Sequence, residues 1–373
     1  MMAWNSESPA IPSTFRRTRG MSRSIRRRFP QRLIAVFACL VCATSVVWAQ
    51  GTWVKLAPFP EPAEEISGAS AGGKMYVFAG LAPVWKPLGM VYEYDPPTNR
   101  WRKNHTMALP SHHVAFTTYR DKIYAFGGFV LPESGPPGWV PINNAWEYDP
   151  AADSWKALAP MPSKRGSALA AVVDDKIYVI GGASTLPGSK ETAVFPTHPH
   201  MSVGTVEEYD PATNTWRERS AMPTPRNHAA IAAVNGKIYV IGGRVGAAFI
   251  GFASDISVVE EYDPATDQWS GPRARMPIAR SAIGAAVYGG RIFVAGGEYQ
   301  DPHMMATFRA VEAYDPASNA WVEMPPMPVS RHGLAVGVVG NRLYVISGDV
   351  QSAGTGVEVS TGENDAFEFS PAK

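Results

Sequence analysis

The sequence predicts an all-β fold, a six-bladed β-propeller whose blades each contain four antiparallel strands. Three observations predict it: an apolar segment that recurs about every 50 residues, a turn motif that follows each copy, and a composition rich in turn-forming residues. The chain of 373 residues contains 34 glycines and 33 prolines. Without a collagen period, these indicate many tight turns between short strands. Hydrophobic residues make up 45% and charged residues 18%, so a buried core is expected and general disorder is not.

The first repeated element is an apolar run that ends in two glycines. Four copies match closely, and a degraded copy lies on either side of them. The close copies are Lys122–Gly128, Lys176–Gly182, Lys237–Gly243 and Arg291–Gly297, and the degraded copies are Lys74–Gly80 and Arg342–Gly348. Such a run predicts a buried strand. The glycines permit a positive φ and a close approach of the backbone where that strand ends.

The second repeated element is Tyr-Asp-Pro, followed six residues after the aspartate by a tryptophan. The aspartate is expected to cap its own backbone, the proline fixes φ, and a following Asn or Asp tolerates the left-handed region. This pattern predicts a tight turn between the third strand and a fourth strand that carries the tryptophan. The motifs begin at Tyr94, Tyr148, Tyr209, Tyr262 and Tyr314, and the last copy is assigned to Phe369-Ser370-Pro371.

Taken together, the Gly-Gly, Tyr-Asp-Pro and Trp series resembles the Kelch family, and the resemblance extends from Trp53 to the C-terminus. It implies a propeller of four-stranded blades. Segments rich in small residues, such as 168–173, then suit the innermost strands. The final unit lacks its Trp strand, whereas residues 52–58 resemble residues 154–160. The N-terminal strand is therefore expected to complete the last blade.

Residues 1–49 are interpreted as a signal peptide, with Met21 as an alternative start, and residues 50–373 as the propeller. A basic stretch, the apolar run 33–48 and the ending Val47-Trp48-Ala49 follow one another in secretory order. A membrane anchor is the alternative, although about 20 apolar residues are needed to span a bilayer. The expected location is secreted or periplasmic, without stable membrane insertion after cleavage. Both cysteines lie in this leader, so no disulfide is expected in the mature chain.

The charge distribution disfavours nucleic acid as a partner. The leader carries eight arginines and one glutamate, so acidic residues outnumber basic residues in the remainder of the chain. Nucleic acids and anionic membranes both require a basic face. The expected partner is a protein or carbohydrate ligand, and a monomer is expected. No cofactor is assigned.

In Kelch propellers, one face is built from the loops after Gly-Gly and from the starts of the inner strands. In the gap-free alignment one inner-strand position holds Ala63, Ser111, Arg165, Arg226, Arg280 and Arg331, and the position two residues later holds Glu65, His113, Ser167, His228, Ala282 and Gly333. The four arginines and the two histidines are the predicted ligand-binding residues at the channel mouth. Arginine pairs bidentately with carboxylates, which favours an acidic sugar or peptide. The alternative is structural: these arginines neutralise acids of neighbouring blades.

The long loops after Gly-Gly supply further candidates for binding. The loops are 81–90, 129–144, 183–205, 244–257, 298–309 and 349–364, and they carry Trp85, Trp139, His198, His200, Arg244, Tyr299, Asp301, His303 and Asp349. No metal ligand is assigned, although His198, His200, Asp301 and His303 would form a site if their two loops met.

Two functions are consistent with this sequence. The first is an exported binding module for a glycan or a protein. The alternative is a small-molecule enzyme acting on an acidic sugar, for which the Kelch resemblance offers the bacterial sialic acid epimerases (mutarotases). An acid or base near the arginines would have to come from His113, His228, His332, Glu64 or Glu65. Galactose oxidase is also a Kelch propeller, but its activity is not expected here. Its copper radical cofactor requires a cysteine, and both cysteines of this chain lie in the leader.

Overall fold

A computed structural model describes residues 50–370, and these form six four-stranded antiparallel sheets. We number the strands of each blade 1 to 4 from the inside outwards. Blade 1 comprises Glu64–Ala71, Lys74–Ala82, Lys86–Asp95 and Arg100–Lys103; blade 2 comprises Ala115–Tyr119, Lys122–Phe126, Ala145–Asp149 and Ser154–Ala157; blade 3 comprises Leu169–Val173, Lys176–Ile180, Val206–Asp210 and Thr215–Arg219. Blade 4 comprises Ala230–Val234, Lys237–Ile241, Val259–Asp263 and Gln268–Trp269; blade 5 comprises Gly284–Tyr288, Arg291–Ala295, Val311–Asp315 and Ala320–Glu323; blade 6 comprises Ala335–Val339, Arg342–Ile346, Asn364–Phe369 and Gly51–Lys55.

The predicted closure of the ring is confirmed, because the N-terminal strand Gly51–Lys55 is strand 4 of the last blade. Trp53 lies opposite Phe367 in that sheet, as Trp216 lies opposite Tyr209 in blade 3. The last copy of the turn motif was therefore misplaced by two residues: Phe367, not Phe369, occupies the tyrosine position. No turn is needed at this point, since the outer strand comes from the other end of the chain, and strand 3 simply continues.

The signal-peptide prediction, its cysteines and residues 371–373 lie outside the described residues. Within residues 50–370, no helix combines the length and the apolar character needed to cross a membrane.

The Tyr-Asp-Pro turns tie neighbouring blades together. In blade 3, Asp210 accepts a hydrogen bond from the backbone N–H of Ala212, and the Tyr209 hydroxyl donates to Asn214. Asn214 has φ of 55°, as the turn chemistry predicted. Its side-chain oxygen also accepts from the N–H of Ala159 in blade 2. Each turn thus links two blades, and corresponding bonds recur at Asn99, Asp153, Asp267 and Asn319.

The loops after Gly-Gly contain more regular structure than expected. Four of them fold into small two-stranded sheets. In blade 1, strand 2 extends as far as Ala82 and strand 3 already begins at Lys86, so a single 3₁₀ turn connects them. The small sheets are Phe129–Val130 with Val140–Pro141, Ala183–Thr185 with His200–Ser202, Arg244–Val245 with Ser254–Asp255, and Glu298–Gln300 with Met305–Thr307. The 3₁₀ turns are Pro83–Trp85, Ile250–Phe252 and Ala353–Thr355.

A channel of about 500 Å³ runs along the propeller axis and is lined by the innermost strands. The small-residue segments 168–172 and 229–233 contribute to its wall, as their composition predicted. The apolar core lies between blades, where strands of one blade pack on those of the next.

Candidate functional site

Six residues, one from each blade, form a ring at one end of the channel. They occupy the aligned position that holds the two predicted histidines. All six have a left-handed backbone, with φ values of 51° at Glu65, 54° at His113, 54° at Ser167, 51° at His228, 49° at Ala282 and 58° at Gly333. All six line the channel. The alignment therefore selected a structurally equivalent set, although only Gly333 is a residue that adopts this conformation readily.

Hydrogen bonds between successive blades hold this ring. The N–H of Ser167 donates to the carbonyl of His113 at 2.8 Å, and the N–H of Ala282 donates to that of His228 at 2.8 Å. The N–H of Gly333 continues the series to Ala282 at 3.1 Å. The ring positions are thus fixed by backbone contacts rather than by a mobile loop.

The four predicted arginines do not reach the channel mouth. Each guanidinium is buried inside its own blade against a carboxylate from strand 3, with side chains that are at most 1% exposed. The pairs are Arg165–Glu207 at 2.6 Å, Arg226–Glu260 at 2.9 Å, Arg280–Glu312 at 2.7 Å and Arg331–Asp365 at 2.8 Å. These contacts favour the structural interpretation over the ligand-binding one, except that the acids belong to the same blade and not to a neighbouring blade.

Three of the arginines also donate to a carbonyl in strand 2 of their blade, and Arg280 donates to Gly296, directly after that strand. The guanidinium of Arg226 donates to the carbonyl of Val240 at 3.0 Å, as Arg331 does to Val345. Burial lowers the pKa of Arg226 to about 10, against the opposing effect of Glu260. The guanidinium of Arg226 thus stays charged at neutral pH, but its charge is compensated by Glu260 inside the blade.

The sequence contained a signal for these pairs. An acid stands two residues before the tyrosine position in the four blades that carry the arginine, as with Glu207 before Tyr209. In the other two blades that position holds Tyr92 and Trp146, and the arginine is replaced by Ala63 and Ser111. The two residue types therefore occur together or not at all within one chain.

Above the ring, the loops enclose a funnel of about 440 Å³. One wall is aromatic and apolar. Trp139 stacks on Phe249 with ring centroids 4.2 Å apart, and Trp85 packs on both of them. Of these three, only the two tryptophans were among the candidates in the sequence. Phe249 carries no motif and reaches the funnel only because its loop folds inwards.

A second part of the funnel wall is acidic and carries the carboxylates of Glu64, Glu65, Glu298, Asp349 and Glu358. Burial raises the pKa of Glu64, with His332 opposing the effect. Burial likewise raises the pKa of Glu358, and the nearby charge of Glu64 adds to it. Carboxylates that repel one another across a cavity favour a cation between them.

A buried charge network supports this wall. Arg244 donates to Glu298 at 3.0 Å, and the hydroxyl of Ser352 donates to the other oxygen of Glu298 at 3.0 Å. Burial alone would lower the pKa of His332, but Glu298, Glu64 and Glu65 together raise it to about 10. Glu298 was missed in the sequence. It directly follows Gly297, as Arg244 follows Gly243 and Asp349 follows Gly348. In each of these blades the residue pairs with the one that precedes the ring residue.

At the floor of the funnel, three ring residues converge. Glu65, His113 and His228 line both the channel and the funnel, and their ligating atoms lie within 4.8 Å of one another. Burial would raise the pKa of Glu65, but His113, His332 and Arg244 lower it to about 2. Burial keeps the pKa of His228 well below its usual range, and Arg244 adds to this effect.

The other candidate metal cluster does not assemble among residues 50–370. His198 is exposed and lies 3.5 Å from Glu191, whereas His200 accepts a hydrogen bond from the N–H of Ala248. Asp301 accepts bonds from the backbone of its own loop, including the N–H of His303. Within the described chain, the group of Glu65, His113 and His228 is the one whose geometry could hold a metal ion.

The fold and this site define a six-bladed β-propeller with a ligand-sized funnel at one end of its axis. Residues 40–218 and 197–348 match the model of the KLHDC2/KLHL20/DRC7 Kelch-repeats domain. The chain is 28% identical to Kelch-like protein terF of Aspergillus terreus over 334 residues, which cover 87% of this chain and 70% of that protein. It is 32% identical to Kelch-like protein 15 of Danio rerio over 250 residues, or 66% of this chain and 40% of that protein.

Beta-scruin of Limulus polyphemus is a further relative, 28% identical over 265 residues that cover 69% of this chain and 27% of that protein. The chain belongs to the Kelch-repeat family of protein-interaction modules. It spans less than half the length of the Kelch-like protein 15 and Beta-scruin relatives.

Proposed function

We propose that this protein is a binding module, exported after removal of its leader, that holds a protein partner through a cationic side chain inserted into the funnel. The observation that carries the proposal is the pairing of an aromatic wall with an acidic wall. Trp85 is half-buried and can attract a cation to its ring face, and carboxylates in the same funnel accept hydrogen bonds from that cation. A funnel of about 440 Å³ has the size of a small-ligand site.

The charge of the funnel favours a cation over the acidic ligand expected at first. The four arginines that motivated the acidic ligand are neutralised inside the blades. Five carboxylates of the funnel wall are opposed by two cationic side chains, Arg244, which is paired with Glu298, and His332, which lies 3.5 Å from Glu64. The same imbalance weakens the alternative of an enzyme for acidic sugars, because the substrate carboxylate would be repelled.

The test is calorimetric titration of the full-length protein with capped pentapeptides of glycine that carry a central arginine, glutamate or leucine. N-acetylneuraminic acid and a neutral disaccharide serve as probes for the glycan alternatives. We expect saturable binding at one site for the arginine peptide and none for the glutamate peptide. Preferential binding of the glutamate peptide or of either sugar would overturn the proposal.

Variants locate the binding. Glu358→Gln removes an exposed funnel carboxylate and should weaken binding roughly 3- to 10-fold, in line with a net hydrogen-bond contribution of about 0.5–1.5 kcal/mol. Glu218→Gln is the matched control, because Glu218 is an exposed residue on strand 4 of blade 3. Equal affinity for the Glu358→Gln variant and the control would place the binding outside the funnel.

A further inference from the structure

We propose that the floor of the funnel is a binding site for one divalent transition-metal ion, most suited to zinc, with Glu65, His113 and His228 as its protein ligands. This site stands on its own geometry and does not depend on the proposed binding of a cationic partner.

The backbone brings the three ligands together from three different blades. Glu65, His113 and His228 belong to blades 1, 2 and 4, and their left-handed conformations place them at equivalent points of the ring. Their ligating atoms lie within 4.8 Å of one another, and Nε2 of His113 is 3.2 Å from Oε2 of Glu65. Two zinc bonds of about 2.0–2.2 Å to nitrogen and oxygen span the 3.2 Å between the atoms of His113 and Glu65, and a small adjustment of His228 would complete the set.

The tautomer of His228 is set for ligation through Nε2. Nδ1 of His228 lies within hydrogen-bond distance of Oδ1 of Asn227. The orientation of that amide is fixed, because its Nδ2 donates to Ser202 at 2.8 Å and to the carbonyl of Ala247 at 2.9 Å. Oδ1 must therefore accept the proton of His228 Nδ1, which leaves the Nε2 lone pair free. This second-shell arrangement is typical of histidines that bind metals.

His113 provides an independent observation. Its side chain is 2% exposed, and its Nε2 is buried without a hydrogen bond while it faces the carboxylate of Glu65. Its other nitrogen, Nδ1, meets Nδ1 of His112. One of these two nitrogens therefore donates its proton to the other. On the other side of the imidazole ring, Nε2 of His113 lies 3.2 Å from Oε2 of Glu65, and a divalent cation can take the place of a proton between these two atoms.

The surroundings leave room for the ion and for one further ligand. The other ring positions hold the small residues Ser167, Ala282 and Gly333, so no large side chain from those blades fills the centre. Two histidines and one glutamate form the ligand set of catalytic zinc sites, in which a fourth position stays open. Here that open position would face the funnel, because all three ligands also line it.

The experiment uses the full-length protein, stripped of metal with a chelator and titrated calorimetrically with zinc chloride. We expect one zinc ion per chain and a higher melting temperature in its presence, because a ligand that binds the folded state stabilises it. Cobalt chloride in place of zinc should give visible ligand-field absorption. Failure to bind zinc, or binding without saturation at one equivalent, would overturn the proposal.

Two ligand variants are chosen to preserve the fold. Glu65→Gln keeps the shape of the side chain, and His228→Asn places at that position a residue that tolerates a left-handed backbone. Each should weaken zinc binding at least roughly 100-fold, beyond the 10- to 100-fold losses typical of second-shell changes. Circular dichroism and melting without metal verify folding. His303→Ala is the matched control, because His303 is exposed and remote in the chain from the ring. Unchanged zinc affinity in both folded ligand variants, or its loss in His303→Ala, would refute the site.

Asn227 tests the positioning of His228. Asn227→Ala removes the acceptor for Nδ1–H and should weaken zinc binding roughly 10- to 100-fold. Asn227→Asp keeps an acceptor for His228 but cannot donate to Ser202 and Ala247. Recovery of zinc affinity in Asn227→Asp, without recovery of the melting temperature, supports positioning. Equal zinc affinity in the Ala variant and the unaltered protein would contradict it.

Discussion

The pair of Arg165 and Glu207 provides a quantitative test of the structural role assigned to the four arginines. Their side chains are 1% and 3% exposed, and the guanidinium lies 2.6 Å from the carboxylate. The same guanidinium donates to the carbonyl of Val179 at 3.0 Å. We consider the variant Arg165→Met, which keeps an unbranched side chain of similar length and removes the charge.

The expected loss follows from the charge left behind. Arg165→Met leaves Glu207 buried without its partner, and breaking a buried pair in this way costs about 3–5 kcal/mol. The entropy of unfolding is about 2.1 cal/mol/K per residue, so for the roughly 320 described residues each 1 kcal/mol lowers the melting temperature by about 1.5 °C. The variant should therefore melt about 4–8 °C below the unaltered protein.

A double variant separates the missing partner from the lost packing. Arg165→Met with Glu207→Leu replaces both charges by apolar groups, and such replacements are often neutral or stabilising. We expect it to recover most of the melting temperature. The exposed pair Arg120–Asp175, with side chains 71% and 66% exposed, is the matched control. Arg120→Met should cost at most about 1 kcal/mol.

Calorimetric melts and urea unfolding measure these differences, and the peptide titration runs in parallel. If Arg165→Met cost no more than Arg120→Met and yet abolished binding in the funnel, the arginines would be ligand-binding residues. If the double variant were as unstable as the single one, the loss would come from packing and not from an uncompensated carboxylate.

Two further predictions concern the ring and its blades. Deleting residues 50–60 should lower the melting temperature far more than the shortness of the deleted segment suggests. It should also promote aggregation, because the deletion exposes an edge of strand 3 in blade 6. An unchanged melting temperature would contradict the closure of the ring by Gly51–Lys55. Gly128→Ala should lower the free energy of unfolding in urea by about 1–3 kcal/mol more than Gly135→Ala does. Both glycines have a positive φ, but a Cβ at Gly128 would lie 2.8 Å from the carbonyl oxygen of His112, whereas one at Gly135 would meet nothing within 4 Å. Equal losses in the two variants would show that the close approach at Gly128 is unimportant.

The fold could be predicted because its determinants are local and repeated. The hydrogen bond from Tyr209 to Asn214 lies within six consecutive residues, and the same six-residue pattern recurs along the chain. Ring closure was predictable for the same reason, since an orphan Trp53 matched an incomplete blade. The misplacement of the last motif onto Phe369 arose because Gly51–Lys55, and not a following segment, supplies the outer strand of blade 6. Only the strand register identifies Phe367 as the equivalent of the tyrosine.

The funnel could be predicted only in part, because its composition depends on which loops meet. Trp85, Trp139 and Phe249 come from three different loops, and no local pattern in any of them specifies the other two. The charge of the wall was inaccessible for a similar reason. Glu298 and Arg244 lie in different blades, and their pairing depends on how the two blades are placed side by side, which no local sequence pattern reveals.

The arginines and the ring histidines show most directly why alignment alone was insufficient. Arg226 and His228 are two residues apart, which in a regular strand would place both side chains on one face. The left-handed backbone at His228 breaks that alternation, so Arg226 points into its blade while His228 reaches the axis. The four arginines therefore pair with acids of their own blades, and Glu65 and the two histidines are the ionisable ring residues that line the axis. The proposed cation sites rest on this placement, in place of the acidic ligand expected from the aligned arginines.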